Sequence, residues 1–387
     1  MGAITINLVY KKSYFNKSEK GYYMDNILDK VKRNDESFLD INCNADMYII
    51  NTPYHLLLTS FLKKDNDIII LNSSLNIDKK GFIRLILDTK FKKNLIITIK
   101  SLKKYNRNVF MIYRLLKSQT NRIISETKNI KLSNIIMFND VIPINQNIIN
   151  EIKCEDHVII VEEGIGLYRD MKKQLNFIYS LFGKILFGIH FQNVKRIGEY
   201  KKTTKIICNY PKLLSDKQKV KTIENFKTID FKKIGEELGI YTFRKCNWFI
   251  GQPLVEDNVL EEKIYLAILE KIIKKISSDE NKLIIKPHPR EDVKKYKYLE
   301  KKYSLEIYKD KDIPIELLIQ NDSTVKIYTA FSSAALNLSS QFSCNVFMLF
   351  DLFEIDPNIP DVILKSLPIK ILSSWDELIQ INKEEIL

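Results

Sequence analysis

The 387-residue sequence has few of the features that mark several large classes of protein. Its five cysteines are scattered without paired spacing, which argues against a disulfide framework or a zinc site. No apolar run approaches the ~20 residues of a transmembrane helix, and residues 1–11 lack the order of a secretory signal peptide. We therefore expect a cytoplasmic protein, with the inner face of the cell membrane as a second place where it acts.

Sequence motifs for common cofactors are also missing. There is no G-x-G-x-x-G and no Walker A sequence, so a dinucleotide enzyme or a P-loop NTPase is not expected. No H-E-x-x-H and no cluster of His, Cys and Asp residues indicates a metal ion. The chain is thus predicted to bind neither a metal nor a resident cofactor.

Positive charge is abundant. Lys and Arg number 61 against 48 Asp and Glu, which gives a net charge of +13. Such a surplus favours anionic partners, whether nucleotides, nucleic acid, acidic glycans or an anionic membrane surface. The length exceeds the roughly 250–300 residues at which single cores divide, so two domains are expected.

Short apolar runs alternate with helical patterns along most of the chain, which predicts an α/β fold with parallel sheets. The predicted strands are residues 47–50, 67–71, 135–138, 157–161, 248–250, 282–285, 325–328 and 345–349. Thr52 and Pro53 predict the start of a helix directly after the first strand, as N-cap and first helical residue.

The predicted organisation has three parts. Residues 1–44 form an N-terminal extension, residues 45–245 a first domain and residues 246–387 a second. Within the first domain, residues 171–192 are crowded with Phe, Leu and Ile and predict a buried or interdomain helix. The alternative is an interfacial helix on a membrane or in a homodimer.

The segment Lys286-Pro287-His288-Pro289-Arg290 follows a predicted buried strand. Two prolines fix the backbone on either side of His288, at the end of the strand where ligands bind in parallel sheets. A rigid histidine between a lysine and an arginine suits a phosphate group. The alternative is a strand end with a solvated turn.

The segment Glu162-Glu163-Gly164 follows another predicted strand. Adjacent carboxylates raise one another's pKa, which favours general-base chemistry. A solvated acidic turn is the alternative. Glu256-Asp257 is a second acidic pair that competes for the same role.

A third segment, residues 329–335, carries Ser332 and Ser333 at the predicted start of a helix. Hydroxyl groups, free N–H groups and the positive end of the helix dipole together favour a phosphate. An ordinary serine N-cap is the alternative. The remaining histidines, His55, His157 and His190, are predicted to be structural.

These segments occur in the order carboxylate pair, His-Pro and Ser-Ser. In this they resemble the bacterial sialyltransferases, which share a D/E-D/E-G motif, an HP motif and a paired-serine motif. The segments 48–54 and 286–290 are most similar to glycosyltransferase family 52, which includes lipooligosaccharide and capsular sialyltransferases. The resemblance covers about residues 45–370.

The resemblance implies a GT-B-type architecture, in which two Rossmann-like domains face a central cleft. The first domain would bind the acceptor and the second the nucleotide sugar. The implied reaction is inverting, metal-independent transfer of sialic acid from CMP-sialic acid to a terminal galactoside hydroxyl of a surface glycan. Partners are then the nucleotide sugar and the glycan, and no nucleic acid is expected.

The resemblance also implies roles for individual residues. Glu163, or else Glu162, would be the general base, and His288 would contact the donor phosphate as general acid or electrostatic stabiliser. Donor-side candidates are Lys286, Pro289, Ser332, Ser333, Thr329, Gly251 and Gln252, and acceptor-side candidates are Asn51 and Tyr54.

Three alternatives remain open from the sequence. A transferase of similar fold could use another nucleotide sugar, such as a glucosyl donor, or transfer glycerol phosphate from CDP-glycerol. A non-catalytic basic protein that binds nucleic acid or membrane would need none of the acidic or histidine residues. Its affinity would fall steeply with salt.

Overall fold

The computed structural model describes residues 44–72, 75, 81–100, 109–170, 183–184, 190–242, 246–276, 283–303, 305–319 and 321–383. Nearly all of the predicted extension and most of the apolar segment 171–192 lie outside these residues, including the helix predicted there. No helix within the described ranges is long and apolar enough to cross a membrane.

Seven parallel strands form the first sheet, in the order β3-β2-β1-β4-β5-β6-β7. They are β1 (Asn44–Ile50), β2 (Ile68–Asn72), β3 (Leu95–Ile99), β4 (Lys131–Met137), β5 (Val158–Val161), β6 (Lys205–Cys208) and β7 (Thr222–Asn225). The central strands are buried on both faces, as their continuous apolar runs require.

Six parallel strands form the second sheet, in the order β10-β9-β8-β11-β12-β13. They are β8 (Asn247–Ile250), β9 (Leu283–Lys286), β10 (Glu306–Ile307), β11 (Lys326–Thr329), β12 (Asn345–Met348) and β13 (Lys370–Ile371). Both sheets are parallel, so the predicted α/β class with two parallel-sheet domains is confirmed.

Helices connect the strands in both domains. In the described residues they are α1 (Pro53–Leu62), α2 (Phe82–Lys90), α3 (Val109–Thr127), α4 (Pro143–Glu151), α5 (Asp216–Lys219), α6 (Phe231–Glu237), α7 (Glu262–Ile276), α8 (Lys297–Tyr303), α9 (Ser333–Gln341), α10 (Asp361–Leu364) and α11 (Trp375–Lys383). Helix α1 starts as predicted, because Thr52 Oγ1 accepts a hydrogen bond from the N–H of His55 at 3.1 Å.

The strand order places the three predicted motifs on one side of the molecule. The His-Pro segment follows β9, the Ser-Ser segment follows β11, and the Glu-Glu segment follows β5. In the second sheet the chain order reverses between β8 and β11, where parallel α/β folds bind ligands. One apolar cluster continues from Ile165 and Leu167 of the first domain to Ala335 and Leu336 of α9.

Candidate active site

The turn at Gly164 brings the two domains into contact. Its φ is +123°, and a Cβ on it would lie 2.6 Å from the carbonyl oxygen of Ser333 and 2.9 Å from Ser333 Cβ. Any other residue would be strained at this φ and would also push the segments apart. Glycine therefore lets the carboxylate pair lie directly against the serine pair.

Glu162 points into the first domain. It is 2% exposed and accepts hydrogen bonds from the Tyr168 hydroxyl at 2.5 Å, the Asn209 N–H at 2.5 Å and Asn209 Nδ2 at 3.1 Å. Burial raises the pKa of this carboxyl, and the three hydrogen bonds oppose that rise. Every bond of Glu162 is internal, so its environment is that of a structural residue.

Glu163, by contrast, faces the space between the domains. Its side chain is 23% exposed and lines a cavity together with His288, Ser332 and Ser333. One carboxylate oxygen is hydrogen-bonded to Nε2 of His55, and the backbone carbonyl accepts from Asn337 Nδ2 at 3.4 Å. Of the two carboxylates, Glu163 is the one placed where a substrate can reach it.

His55 is the partner that sequence reasoning missed. It is 1% exposed on α1, and its ring stacks on Phe138 with centroids 4.2 Å apart. Nδ1 accepts the backbone N–H of Asn51 at 3.2 Å, so the neutral ring carries its proton on Nε2 and donates it to Glu163. The expected acceptor-side residue Asn51 thus acts here on the histidine through its backbone.

His288 is held in one tautomer by its own turn. Nδ1 accepts the backbone N–H of Arg290 at 3.1 Å, which leaves the proton of the neutral ring on Nε2. Burial, with the positive charges of Arg290 and Lys286, lowers the pKa of His288 to about 4. The ring is therefore neutral at pH 7 and presents a single N–H donor.

A buried carboxylate fixes the His-Pro turn from behind. Glu291 accepts the backbone N–H of His288 at 2.5 Å, the Tyr296 hydroxyl at 2.7 Å and pairs with Lys295 at 2.7 Å. A Cβ at Gly251 would lie 2.3 Å from Glu291 Oε2. Gly251 is thus needed because it leaves room for Glu291.

The second acidic pair is engaged in the same turn. Asp257 forms a two-pronged ion pair with Arg290 at 2.5 and 2.9 Å. Glu256 accepts the N–H of Asp292 at 2.9 Å and pairs with Lys295 at 3.1 Å. Both carboxylates have cationic or N–H partners, a placement that favours a positioning role over that of a free base.

Ser332 is the N-cap of α9, and its Oγ accepts the N–H of Ala334 at 3.3 Å. Two of the predicted donor-side residues shape this loop from inside. Thr329 is fully buried, and its hydroxyl accepts the Ser332 N–H at 3.2 Å and donates to the Ile250 carbonyl at 3.0 Å. Gln252 Oε1 accepts the N–H of residue 331 at 2.7 Å.

Two buried groups of opposite charge, Lys286 and Glu316, line the same cavity as Glu163. Lys286 Nζ donates to the Lys311 carbonyl at 2.8 Å, and burial lowers its pKa to about 8. Burial raises the pKa of Glu316 to about 7, although Asn337 Nδ2 donates to its carboxyl group at 3.3 Å. Sequence reasoning missed Glu316, because a single acidic residue in a loop carries no pattern.

Two cavities meet at this site. The smaller, of about 250 Å³, is lined by Glu163, Tyr54, Lys286, Pro289 and Glu316. The larger, of about 680 Å³, is lined by Arg169, Gln252 and Arg290. His288, Ser332 and Ser333 line both cavities. The two motifs predicted to bind phosphate therefore lie between the cavities.

A comparison with models of protein families identifies the family of this chain. The model of the alpha-2,8-polysialyltransferase (POLYST) family matches residues 46–351, which include all three motifs. The chain belongs to this family. The recognition of a bacterial sialyltransferase from the sequence is thereby confirmed, and with it membership of a glycosyltransferase family.

Individual relatives are more distant. An uncharacterized protein of Haemophilus influenzae is 33% identical over 200 residues, 48% of this chain and 60% of that protein. The chain thus spans less than two thirds of the length of this curated relative.

Among solved structures, a UDP-GlcNAc 2-epimerase of Methanocaldococcus jannaschii has a TM-score of 0.52 at 10% identity, covering 88% of this chain and 92% of that one. An alpha/beta-galactoside alpha-2,3-sialyltransferase of Photobacterium phosphoreum has a TM-score of 0.49 at 15% identity, covering 85% and 98%. The epimerase shares the fold, and the predicted GT-B-type architecture with a cleft between two Rossmann-like domains is confirmed.

Proposed function

We propose that this protein transfers sialic acid from CMP-sialic acid to a hydroxyl group of a surface glycan, by a single inverting displacement. Family membership supports sialyl transfer. One observation carries the proposal further: Glu163, His288 and the two serines line a single cavity, although they come from three separate segments of two domains. A base therefore lies beside a group of phosphate-binding donors.

Glu163 is the general base of the proposed reaction. Its carboxylate takes the proton of the acceptor hydroxyl while that oxygen forms a bond to the anomeric carbon of sialic acid. The bond from the same carbon to the phosphate oxygen breaks, and CMP leaves with the electron pair. Attack and departure on opposite faces invert the configuration.

His55 acts through Glu163 as a positioning residue. Its Nε2–H holds one carboxylate oxygen, and the other oxygen remains for the acceptor proton. The ring is itself immobilised by stacking on Phe138 and by the N–H of Asn51. A base fixed in this way needs little reorganisation when the acceptor arrives.

The leaving phosphate is stabilised from the second domain. The Nε2–H of neutral His288, the hydroxyls of Ser332 and Ser333, and the positive end of the α9 dipole converge on the wall between the two cavities. The hydrogen bond from this N–H to a bound phosphate is charge-assisted, which makes it stronger than a bond between two neutral groups. Because these groups supply the charge stabilisation, we propose a metal-independent reaction that EDTA leaves intact.

The proposed acceptor is a surface glycan, as in lipooligosaccharide or capsule synthesis. Galactoside ends were expected from the sequence, whereas the matching family is described by alpha-2,8-polysialyl transfer. Both galactoside and sialoside acceptors therefore belong in the assay. Labelled product with either acceptor supports the proposal.

Calorimetric titration of CMP, CDP and UDP tests the donor first. We expect the wild-type protein to prefer CMP, and His288→Ala to lose most of that affinity. The control is His157→Ala. His157 directly precedes β5, at the opposite end of that strand from Glu162, and its ring is hydrogen-bonded to the hydroxyl of Thr204. A preference for CDP or UDP would support the glycerol phosphate or glucosyl alternatives, and binding to none would overturn the proposed function.

A further inference from the structure

Arg169 is a cavity-lining cation to which the proposed reaction gives no role. It lies in the wall of the larger cavity with His288 and Ser332. The two other arginines nearby have carboxylate partners: Arg290 pairs with Asp257, and Arg196 pairs with Asp170. Within the described ranges of the chain, Arg169 has no carboxylate partner for its guanidinium group.

The backbone explains why Arg169 lies in the cleft. Tyr168 is fully buried, and its hydroxyl bonds to Glu162 inside the first domain. A short 3₁₀ helix, Ile165–Leu167, connects the two carboxylates to this tyrosine. Glu162 and Tyr168 are buried, and the residue that follows each of them lines a cavity of the cleft: Glu163 the smaller one and Arg169 the larger one. The same turn that places the base also places this arginine.

Its surroundings leave Arg169 poorly solvated. Burial lowers the pKa of its guanidinium, and the negative charge of Glu163 opposes this shift. An arginine remains charged nevertheless, and a partly buried charge gains most from a partner that completes its ion pair. The guanidinium presents parallel N–H donors that fit both oxygens of a carboxylate.

Sialic acid supplies such a carboxylate next to its reacting atom. Its carboxyl group is attached to the anomeric carbon, so it lies one bond from the atom that receives the acceptor oxygen. That atom must lie between Glu163 and the phosphate-binding wall. We infer that Arg169 binds a sialic acid carboxylate, and so selects an acidic sugar; this inference rests on the proposed function.

The carboxylate has two possible sources, the sialyl group of the donor and a sialic acid at the end of the acceptor. Binding of CMP and of the unreactive 3-fluoro analogue of CMP-sialic acid identifies the first source. For Arg169→Ala we expect affinity for the analogue to fall about 10–100-fold, as for other charge-assisted pairs, with unchanged affinity for CMP. Arg169→Lys keeps the charge but loses the paired donors, so its affinity for the analogue should lie between those of the wild type and Arg169→Ala.

If the acceptor supplies the carboxylate, Arg169→Ala instead raises KM for a sialoside acceptor but not for a galactoside acceptor. Arg84→Ala serves as the control, because Arg84 pairs with Asp88 on the surface of α2, outside both cavities. Normal analogue affinity together with normal KM for both acceptors would overturn the assignment. Equal losses for CMP and the analogue would also overturn it, by indicating a phosphate contact. No CMP binding by the wild-type protein would instead overturn the proposed function itself.

Discussion

Truncation of Glu162 should lower the stability of the protein, whereas truncation of the adjacent Glu163 should lower its transfer activity. Glu162→Ala removes the acceptor of three hydrogen bonds in a site that is 2% exposed. A buried donor left without a partner costs about 1–3 kcal/mol; we take the lower limit, about 3 kcal/mol for the three donors, because Asn209 is half-buried. At about 2–4 °C for each kcal/mol, we expect the melting temperature to fall by about 6–12 °C.

Glu163→Ala removes a carboxylate from a cavity wall and leaves the interior of the domain intact. It leaves one donor without its partner, the Nε2–H of His55, instead of three, so at the same lower limit we expect its melting temperature to fall by only about 2–4 °C. Transfer should fall by about 10²–10⁴-fold, the usual contribution of a general base. Glu163→Gln should behave in the same way, because an amide keeps the hydrogen bond from His55 but accepts no proton.

Both properties are measured on the same preparations. Thermal unfolding gives the melting temperature, and release of product from CMP-sialic acid and a glycan gives the transfer rate at about 20 °C, below the transition of every variant. Glu162→Ala should keep transfer within about tenfold of the wild type. An inactive Glu162→Ala with normal melting, beside an active Glu163→Ala, would refute this reasoning and make Glu162 the base.

Three further variants test the rest of the site. His55→Phe should lower kcat about tenfold or more with unchanged donor KM. His55→Gln restores an N–H donor and should recover part of the lost kcat. Equal kcat in both variants would contradict the positioning role. Glu316→Gln should gain stability over the wild type in urea unfolding as pH rises from 5 to 8, by up to about 3 kcal/mol; a difference constant with pH would contradict this. The reason is that the native carboxyl, with its pKa of about 7, binds more protons than the unfolded one above pH 4.5. Gly164→Ala should abolish transfer because its Cβ meets Ser333, whereas Gly239→Ala, with a φ of +67° and open space, should retain it; an active Gly164→Ala would contradict the domain contact.

The sequence predicted every inner strand of the two sheets except β6, because these strands are short apolar runs. Strands β5 and β9 are buried at every position, and a short, continuous apolar run of this kind is typical of a strand in a parallel sheet that is covered on both faces. The edge strands were not predicted. Strands β10 and β13 have two residues each, and the Thr-Ile-Glu-Asn sequence of β7 is mostly exposed, so pairing with a neighbour rather than composition makes them strands.

The site divides along the same line. The three motifs were predictable because each keeps its chemistry within about five consecutive residues. The hydrogen bond between His55 and Glu163 joins residues 108 positions apart, and the cavity position of Glu316 results from packing against α9 of the same domain. No local pattern reports such contacts, which arise only when the strands and domains have come together.

The proton positions in the site follow from very short stretches of sequence. His288 accepts a backbone N–H from two residues further along, and His55 accepts one from four residues earlier, each through Nδ1. Both neutral rings therefore carry their proton on Nε2; that of His55 is donated to Glu163, and that of His288 is available for the donor phosphate of the proposed reaction. Neither histidine has a free nitrogen to receive the proton of the acceptor hydroxyl, so in the proposed reaction that proton must go to Glu163.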